Sequence, residues 1–273
     1  MIERLDVLLP TCDRPAALAV TLTALLAQDL PLRVVVADQG AGADDPLLLG
    51  VRRVLEHLGH LVEWHVRPER LGIAEQREFL LAQAVAQRCV LLDDDVLLAP
   101  GSLHRLSDAL DQVGGGFVGM TLTGLSYLDD ERPHEQVSYE PWSGPVQPER
   151  VRKDGPAWER WRLHNAANPV HLARRHVPAG QPWVAYKVAW VAGCVLFHTE
   201  ALREVGGFGF WPQLGPTGAG EDVAVQLAVM ERRGGSGLLP SGAFHLEVAT
   251  TLPDRTADGY DLLVAGPEQG SQP

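Results

Sequence analysis

Short apolar, β-branched runs alternate with stretches of helical period over residues 5–122, and that alternation restricts the fold more than any other feature. Residues 5–9 read as a strand, and Pro15 opens a helix with Leu18, Leu22, Leu25 and Leu26 on one face. Residues 33–37 form a buried strand that ends at Asp38 and a Gly-rich turn over 39–42. A helix over 46–58 carries Leu47, Val51, Val54, Leu55 and Leu58 in register. A strand over 61–66, a helix over 73–86, a strand over 89–92, a helix over 102–113 and a strand over 117–122 continue the pattern. Such alternation makes βαβ units and a mostly parallel central sheet flanked by helices, so the fold class is α/β. Sheets of this kind bind ligands at the carboxyl ends of their strands, which directs attention to Thr11, Asp38 and Asp93 to Asp95.

The period is lost between Gly124 and Pro182, a stretch with eight prolines and several tryptophans. A segment that long without clear elements is expected to be a functional insertion or lid. Order returns with a strand over 187–198, a helix that Thr199 caps and Gly206-Gly207 end, a helix over 221–233 and a strand over 238–244. The tail over 266–273 is expected to be disordered.

Acidic residues outnumber basic ones, 35 to 23, for a formal charge of −12. A field of that sign repels phosphate, so nucleic acid is excluded as a partner and a phosphorylated substrate calls for a metal ion. Three scattered cysteines form neither a disulfide framework nor a zinc cluster, and they suit a reducing compartment. No leader and no transmembrane segment is legible. The expectation is a cytoplasmic protein, with peripheral membrane attachment left open.

Asp93-Asp94-Asp95 closes an apolar strand. Three adjacent carboxylates repel one another unless a cation neutralises them, and oxygen ligands suit Mn²⁺ or Mg²⁺. Strand alternation would point Asp93 and Asp95 together and Asp94 away; the bland alternative is a solvated acidic turn. Asp38 can accept from a nucleoside or cap its own turn. Arg77 sits near a helix start, where amides favour an anion, or pairs with a surface acid. Glu221 and Asp222 open a helix whose dipole they complement, and His245 follows a short strand where an imidazole could complete a metal site.

Taken together, these segments resemble family 2 glycosyltransferases with the Rossmann-like GT-A fold. The stretch from Val7 through Pro10-Thr11-Cys12-Asp13-Arg14-Pro15, followed by Val34-Val35-Val36-Ala37-Asp38, is similar to that family's opening. Leu71-Gly72-Ile73-Ala74-Glu75-Gln76-Arg77 resembles its LGxAxxRN segment, with Glu78 where Asn is common. Leu91-Leu92-Asp93-Asp94-Asp95 matches the DXD motif. Glu204-Val205-Gly206-Gly207-Phe208 and then Gly220-Glu221-Asp222-Val223 follow in the family's order. The resemblance covers 1–125 and 187–247 and implies a metal-dependent, inverting transfer of sugar from a nucleotide-sugar donor (a UDP-, GDP- or dTDP-sugar) to an acceptor hydroxyl.

Carried over residue by residue, it implies that Thr11, Arg14 and Asp38 hold the nucleoside and that Arg77 lies near the base or diphosphate. Asp93 and Asp94 join the donor site, Asp95 and His245 hold Mn²⁺ or Mg²⁺, and Asp222 is the general base. The acceptor is expected to be a carbohydrate, a lipid-linked or a small molecule. Trp158, Trp161, Trp211 and Glu221 are expected on its side, because aromatic faces suit sugar stacking; the tryptophans packing the insertion is the alternative. One domain over 1–265 is expected: a nucleotide-sugar-binding half over 1–125, an acceptor-side insertion over 126–186 and a catalytic half over 187–265.

Two other readings compete. A phosphohydrolase of the haloacid dehalogenase type also places Asp-x-Asp after an apolar strand, but after its first strand, and with Thr or Val where Leu97 stands. A non-catalytic GT-A binding module would not need Asp93, Asp95 and Asp222 intact.

Overall fold

The computed structural model describes residues 4–40, 42–251, 255 and 257–264. Ala41 of the Gly-rich turn and the tail expected to be disordered lie outside the described residues. Strands β1 (Leu5–Thr11), β2 (Leu32–Asp38), β3 (Leu61–Val66) and β4 (Arg88–Leu92) alternate with helices α1 (Pro15–Leu25), α2 (Pro46–His57) and α3 (Ile73–Gln83). Next come β5 (Val96–Leu98), α4 (Ser102–Val113), β6 (Phe117–Gly119) and β7 (Thr123–Gly124). The remainder holds α5 (Asn168–His176), β8 (Val184–Tyr186), β9 (Cys194–His198), α6 (Thr199–Glu204), α7 (Trp211–Leu214), α8 (Glu221–Arg233), β10 (Gly235–Leu239), β11 (Ala243–His245) and α9 (Gly259–Leu263).

An eight-stranded sheet runs in the order β3-β2-β1-β4-β9-β6-β10-β8, and a three-stranded sheet in the order β5-β11-β7. The β1–β2, β1–β4 and β2–β3 pairs are parallel, as the alternation requires. Both faces of these strands are covered: Val7, Leu9, Val34 and Val36 pack on one side, and Leu8, Val35 and Ala37 on the other. Strand β9 enters antiparallel between β4 and β6, and β8 is antiparallel to β10, so the sheet is mixed. Among the described residues no helix is long and apolar enough to cross a membrane.

Several expected elements are corrected. Residues 187–193 are not strand; only Cys194–His198 pairs into the sheet. The run expected over 238–244 is two strands in different sheets, β10 and β11. Thr199 is not a cap, because its hydroxyl donates to the Ala86 carbonyl (2.8 Å) and ties α6 to the start of β4. The insertion contains α5 and three 3₁₀ segments, Leu125–Tyr127, Pro133–Ser138 and Pro156–His164, and prolines hide the period of the last two. In α2 the buried positions are Leu48 and Leu55, whereas Leu47, Val54 and Leu58 are exposed. The apolar arc of that helix is wider than the surface available to cover it.

Candidate active site

The carboxyl ends of β1 and β4, the first turns of α3 and α8, and the end of β11 meet at a cavity of about 1090 Å³. Thr11, Arg14, Arg77, Asp93, Asp94, Asp95, Trp158, Glu221, Asp222 and His245 all line it. Two glycines allow this convergence. Gly72 precedes α3 at φ +98°, and a Cβ there would meet the Gly215 carbonyl at 2.9 Å. Gly220 precedes α8 at φ +76°, in the left-handed region that disfavours side chains.

The acidic triplet leaves the strand at Leu92 and turns, so alternation stops governing its side chains. Each acid finds a different partner. Asp94, expected to point away, is buried and accepts from the Thr11 hydroxyl (2.6 Å) and from Arg14. Burial raises its pKa to about 6 against the pull of Thr11 and Arg14. Asp95 accepts from Arg14 Nη1 (2.8 Å) and lies 3.4 Å from His245 Nε2. Burial would raise its pKa, but the His245 hydrogen bond and Arg14 outweigh it and hold the carboxyl below its usual range. In return, Asp95 raises the pKa of His245. The ring is oriented by the Glu247 amide, which donates to Nδ1 (3.1 Å). Asp93 accepts from Arg77 Nη2 (2.8 Å). Two arginines therefore supply much of the neutralisation that the sequence assigned to a metal.

Arg77 is buried, with its guanidinium held between Asp93 and Glu221 Oε1 (2.7 Å). Burial opposes its charge, yet Glu221, Asp93 and Asp222 more than offset that and raise its pKa. Burial likewise pushes Glu221 up to about 7, and it raises Asp222 as well. A carboxylate with raised basicity at a cavity wall is suited to accept a proton near neutral pH.

Asp38 is the predicted donor residue that the structure keeps from the cavity lining. Its Oδ1 accepts from the Gly40 amide (2.7 Å) and its Oδ2 from the Trp64 indole (3.2 Å), which is the turn-capping geometry. Trp161 is exposed and Trp211 half-buried, and neither lines the cavity. Trp158 does, in a corner with Trp190 (ring centroids 5.1 Å apart) and Tyr260 (5.0 Å). Lys153 lies over the Tyr260 ring at 4.4 Å.

Sequence reasoning missed Trp190, Tyr260 and Lys153, which stand in three separate segments with no shared motif. It also missed Gln76, whose amide donates to the carbonyls of Thr11 and Ala37 (both 2.9 Å) and so clamps the ends of β1 and β2. Glu78, which stands where the family commonly has Asn, accepts from the Phe208 amide (2.7 Å) and fixes the Gly206-Gly207-Phe208 turn. The pattern break at that position was the available signal.

Among the described residues no group of three or more His, Cys, Asp or Glu could by itself hold a metal ion. The ionised Asp95 carboxylate suits Mn²⁺ or Mg²⁺, and the His245 imidazole would join it once Nδ1 exchanges the Glu247 amide for a proton and frees the Nε2 lone pair, with substrate and water oxygens needed for the remaining positions.

Two solved structures have a similar fold. Mannosyltransferase PcManGT from Pyrobaculum calidifontis, in complex with GDP-Man and Mn²⁺, superposes with a TM-score of 0.51 at 18% identity, over 87% of this chain and 57% of that one. TarS 1–349 from S. aureus, in complex with UDP-GlcNAc, gives a TM-score of 0.56 at 14% identity, over 91% of this chain and 60% of that one. The chain thus spans less than two thirds of either protein's length. No curated protein matches the sequence. Residues 6–177 match glycosyl transferase family 2, a span that holds the β1 turn, the Arg77 helix and the acidic triplet. The chain belongs to glycosyl transferase family 2.

Proposed function

We propose that the protein moves a sugar from a nucleotide-sugar donor to an acceptor hydroxyl by single displacement with inversion. The observation that carries this reading is the cavity itself: the acidic triplet and Asp222, with raised basicity, line it together. The donor lies along Thr11, Arg14 and Asp93 to Asp95. Asp94, tied to Thr11 and Arg14, sets the position of both. Arg77 acts through Asp93 and Glu221 rather than by touching the diphosphate. Asp38 shapes the turn beneath the nucleoside.

Asp95 and His245 would hold the divalent ion. When bound, it acts as a Lewis acid that stabilises charge on the departing diphosphate. The acceptor enters beside Trp158, Trp190 and Tyr260, and Asp222 takes the proton of its hydroxyl as attack proceeds. A base across the anomeric carbon from the leaving group gives inversion. The expected acceptor is a carbohydrate, free or lipid-linked, or another small alcohol. Residues 1–125 serve the donor, 126–186 the acceptor, and 187–265 complete the catalytic wall.

A thermal-shift panel of UDP-, GDP- and dTDP-sugars with Mn²⁺, Mg²⁺ or EDTA tests the donor reading. One nucleotide series should stabilise the protein, and only with metal. Proton NMR of the product linkage should show the configuration opposite to the donor's. A retained configuration would refute the single displacement.

A further inference from the structure

A second cavity lies away from the catalytic one, at the β8 edge of the large sheet. Its volume is about 390 Å³, and no residue lines both cavities. Tyr139, Trp142, His176 and Trp183 supply its rings, Gln181 an exposed amide, and Val113, Pro141, Pro178, Val184 and Ala185 complete the walls.

The groove is preformed. The Trp142 amide donates to the Ala185 carbonyl (3.0 Å) and the Lys187 amide to the Glu140 carbonyl (2.8 Å), so residues 140–142 extend the β8 edge. Tyr139 stacks on His176 (centroids 3.7 Å apart, planes at 14°) and on Tyr186 (5.7 Å, 27°). Tyr139 is thus a fixed post; Trp142, with Lys187 Nζ 5.0 Å from its ring centroid, and Trp183, packed in part against the core, are the large rings that keep some surface for a ligand. Trp142 Nε1 has no acceptor among the described residues, an unsatisfied donor of the kind folded proteins rarely leave.

The lining has no Asp, Glu, Lys or Arg, in a chain whose charged fraction is 21%. Burial and the neighbouring Arg175 lower the pKa of His176, which disfavours a charge on its imidazole. Lys187, whose ammonium lies over the Trp142 ring, is already paired with Glu140, so the lining itself offers an anion, a nucleotide or a charged peptide no unpaired charge. Indole faces with a few amide and N–H groups match the C–H faces and hydroxyl edges of an uncharged sugar, and the volume lies within the ~300–1,000 Å³ of ligand pockets.

We propose that this groove binds an uncharged oligosaccharide, as a second glycan site distinct from the transfer site. It would hold a stretch of a sugar chain away from the reacting end. The groove shares no lining residue with the catalytic cavity, so either reading can fail without the other.

Affinity electrophoresis of the full chain through native gels containing laminarin, amylose or galactomannan tests it, with heparin as the anionic control. Wild type should be retarded by at least one neutral polysaccharide and not by heparin. Trp142→Ala and Trp183→Ala should each weaken that retention roughly 10-fold or more, the scale expected for losing an aromatic stack. Gln181→Ala alters only an exposed side chain, and Trp142→Phe keeps a ring; these cover the case in which a larger truncation does not fold. Gln181→Ala should weaken retention and Trp142→Phe largely preserve it. Asp222→Asn and Trp158→Ala, in the catalytic cavity, should be retained like wild type. No retention by any of the three polysaccharides would overturn the proposal. So would retention that survives the groove variants, or that is lost with Trp158→Ala instead.

Discussion

Replacing Arg77 with Met discriminates between a cation that touches the donor and one that holds the site's carboxylates in place. The guanidinium is buried, 2.8 Å from Asp93 and 2.7 Å from Glu221. Methionine keeps most of the volume and removes the charge. Asp93, with 29% of its side chain exposed, can turn to water, whereas Glu221 at 5% cannot. Breaking a buried pair by removing one partner typically costs roughly 3–5 kcal/mol. The loss here is expected at or below about 3 kcal/mol, the lower end of that range, because Glu221 already has its pKa near 7 beside Arg77 and can complete its protonation.

Unfolding entropy of about 2.1 cal/mol/K per residue gives roughly 0.6 kcal/mol/K for a chain of 273 residues. The expected fall in melting temperature is therefore at most about 5 °C, measured by calorimetry without nucleotide. Arg77→Met combined with Glu221→Gln should recover about half of it, since no buried acid is then left unpaired. An unchanged melting temperature together with a large loss of nucleotide affinity would refute this reasoning and return Arg77 to the diphosphate.

Asp222→Asn should bind metal and nucleotide sugar almost normally yet transfer sugar at least ~100-fold more slowly, about 2.7 kcal/mol of transition-state stabilisation; near wild-type turnover would leave only a helix-end role. Asp95→Ala should abolish metal-dependent donor binding in titration calorimetry, while His245→Ala weakens it less, because carboxylate and phosphate oxygens remain; equal donor affinity in EDTA and Mn²⁺ for wild type would remove the metal from both. Burial raises Glu221 from an unfolded value near 4.5 to about 7, so the folded state binds the extra proton between those values and stability from this group is lost as pH rises through that window. Glu221→Gln should therefore gain melting temperature relative to wild type from pH 4.5 to pH 7, by up to about 5 °C; a constant difference across the window would mean the carboxyl titrates normally.

How much was legible depended on whether a signal was local. Period and breaker residues lie within a few positions of one another, and they were enough for β1 to β4 and α1 to α4, though not for the short β5, for Asp93 to Asp95 after β4, and for Glu221-Asp222 at the start of α8. The sequence order of those motifs also sufficed for the family.

Partners were another matter. Alternation could not place Asp94, because the chain turns after Leu92 and Thr11 and Arg14 draw that carboxylate inward. Nothing near Arg77 in sequence announces Glu221; the two meet only because Gly72 lets α3 pack against the Gly215-Pro216 turn that leads into α8. The buried face of α2, the antiparallel entry of β9 and the corner of Trp158, Trp190 and Tyr260 were likewise decided by long-range packing. The physical reason is common to all of them. Local pattern sets backbone period and the position of a polar group along the chain, while the direction a buried charge or ring takes depends on which distant surface excludes water from it.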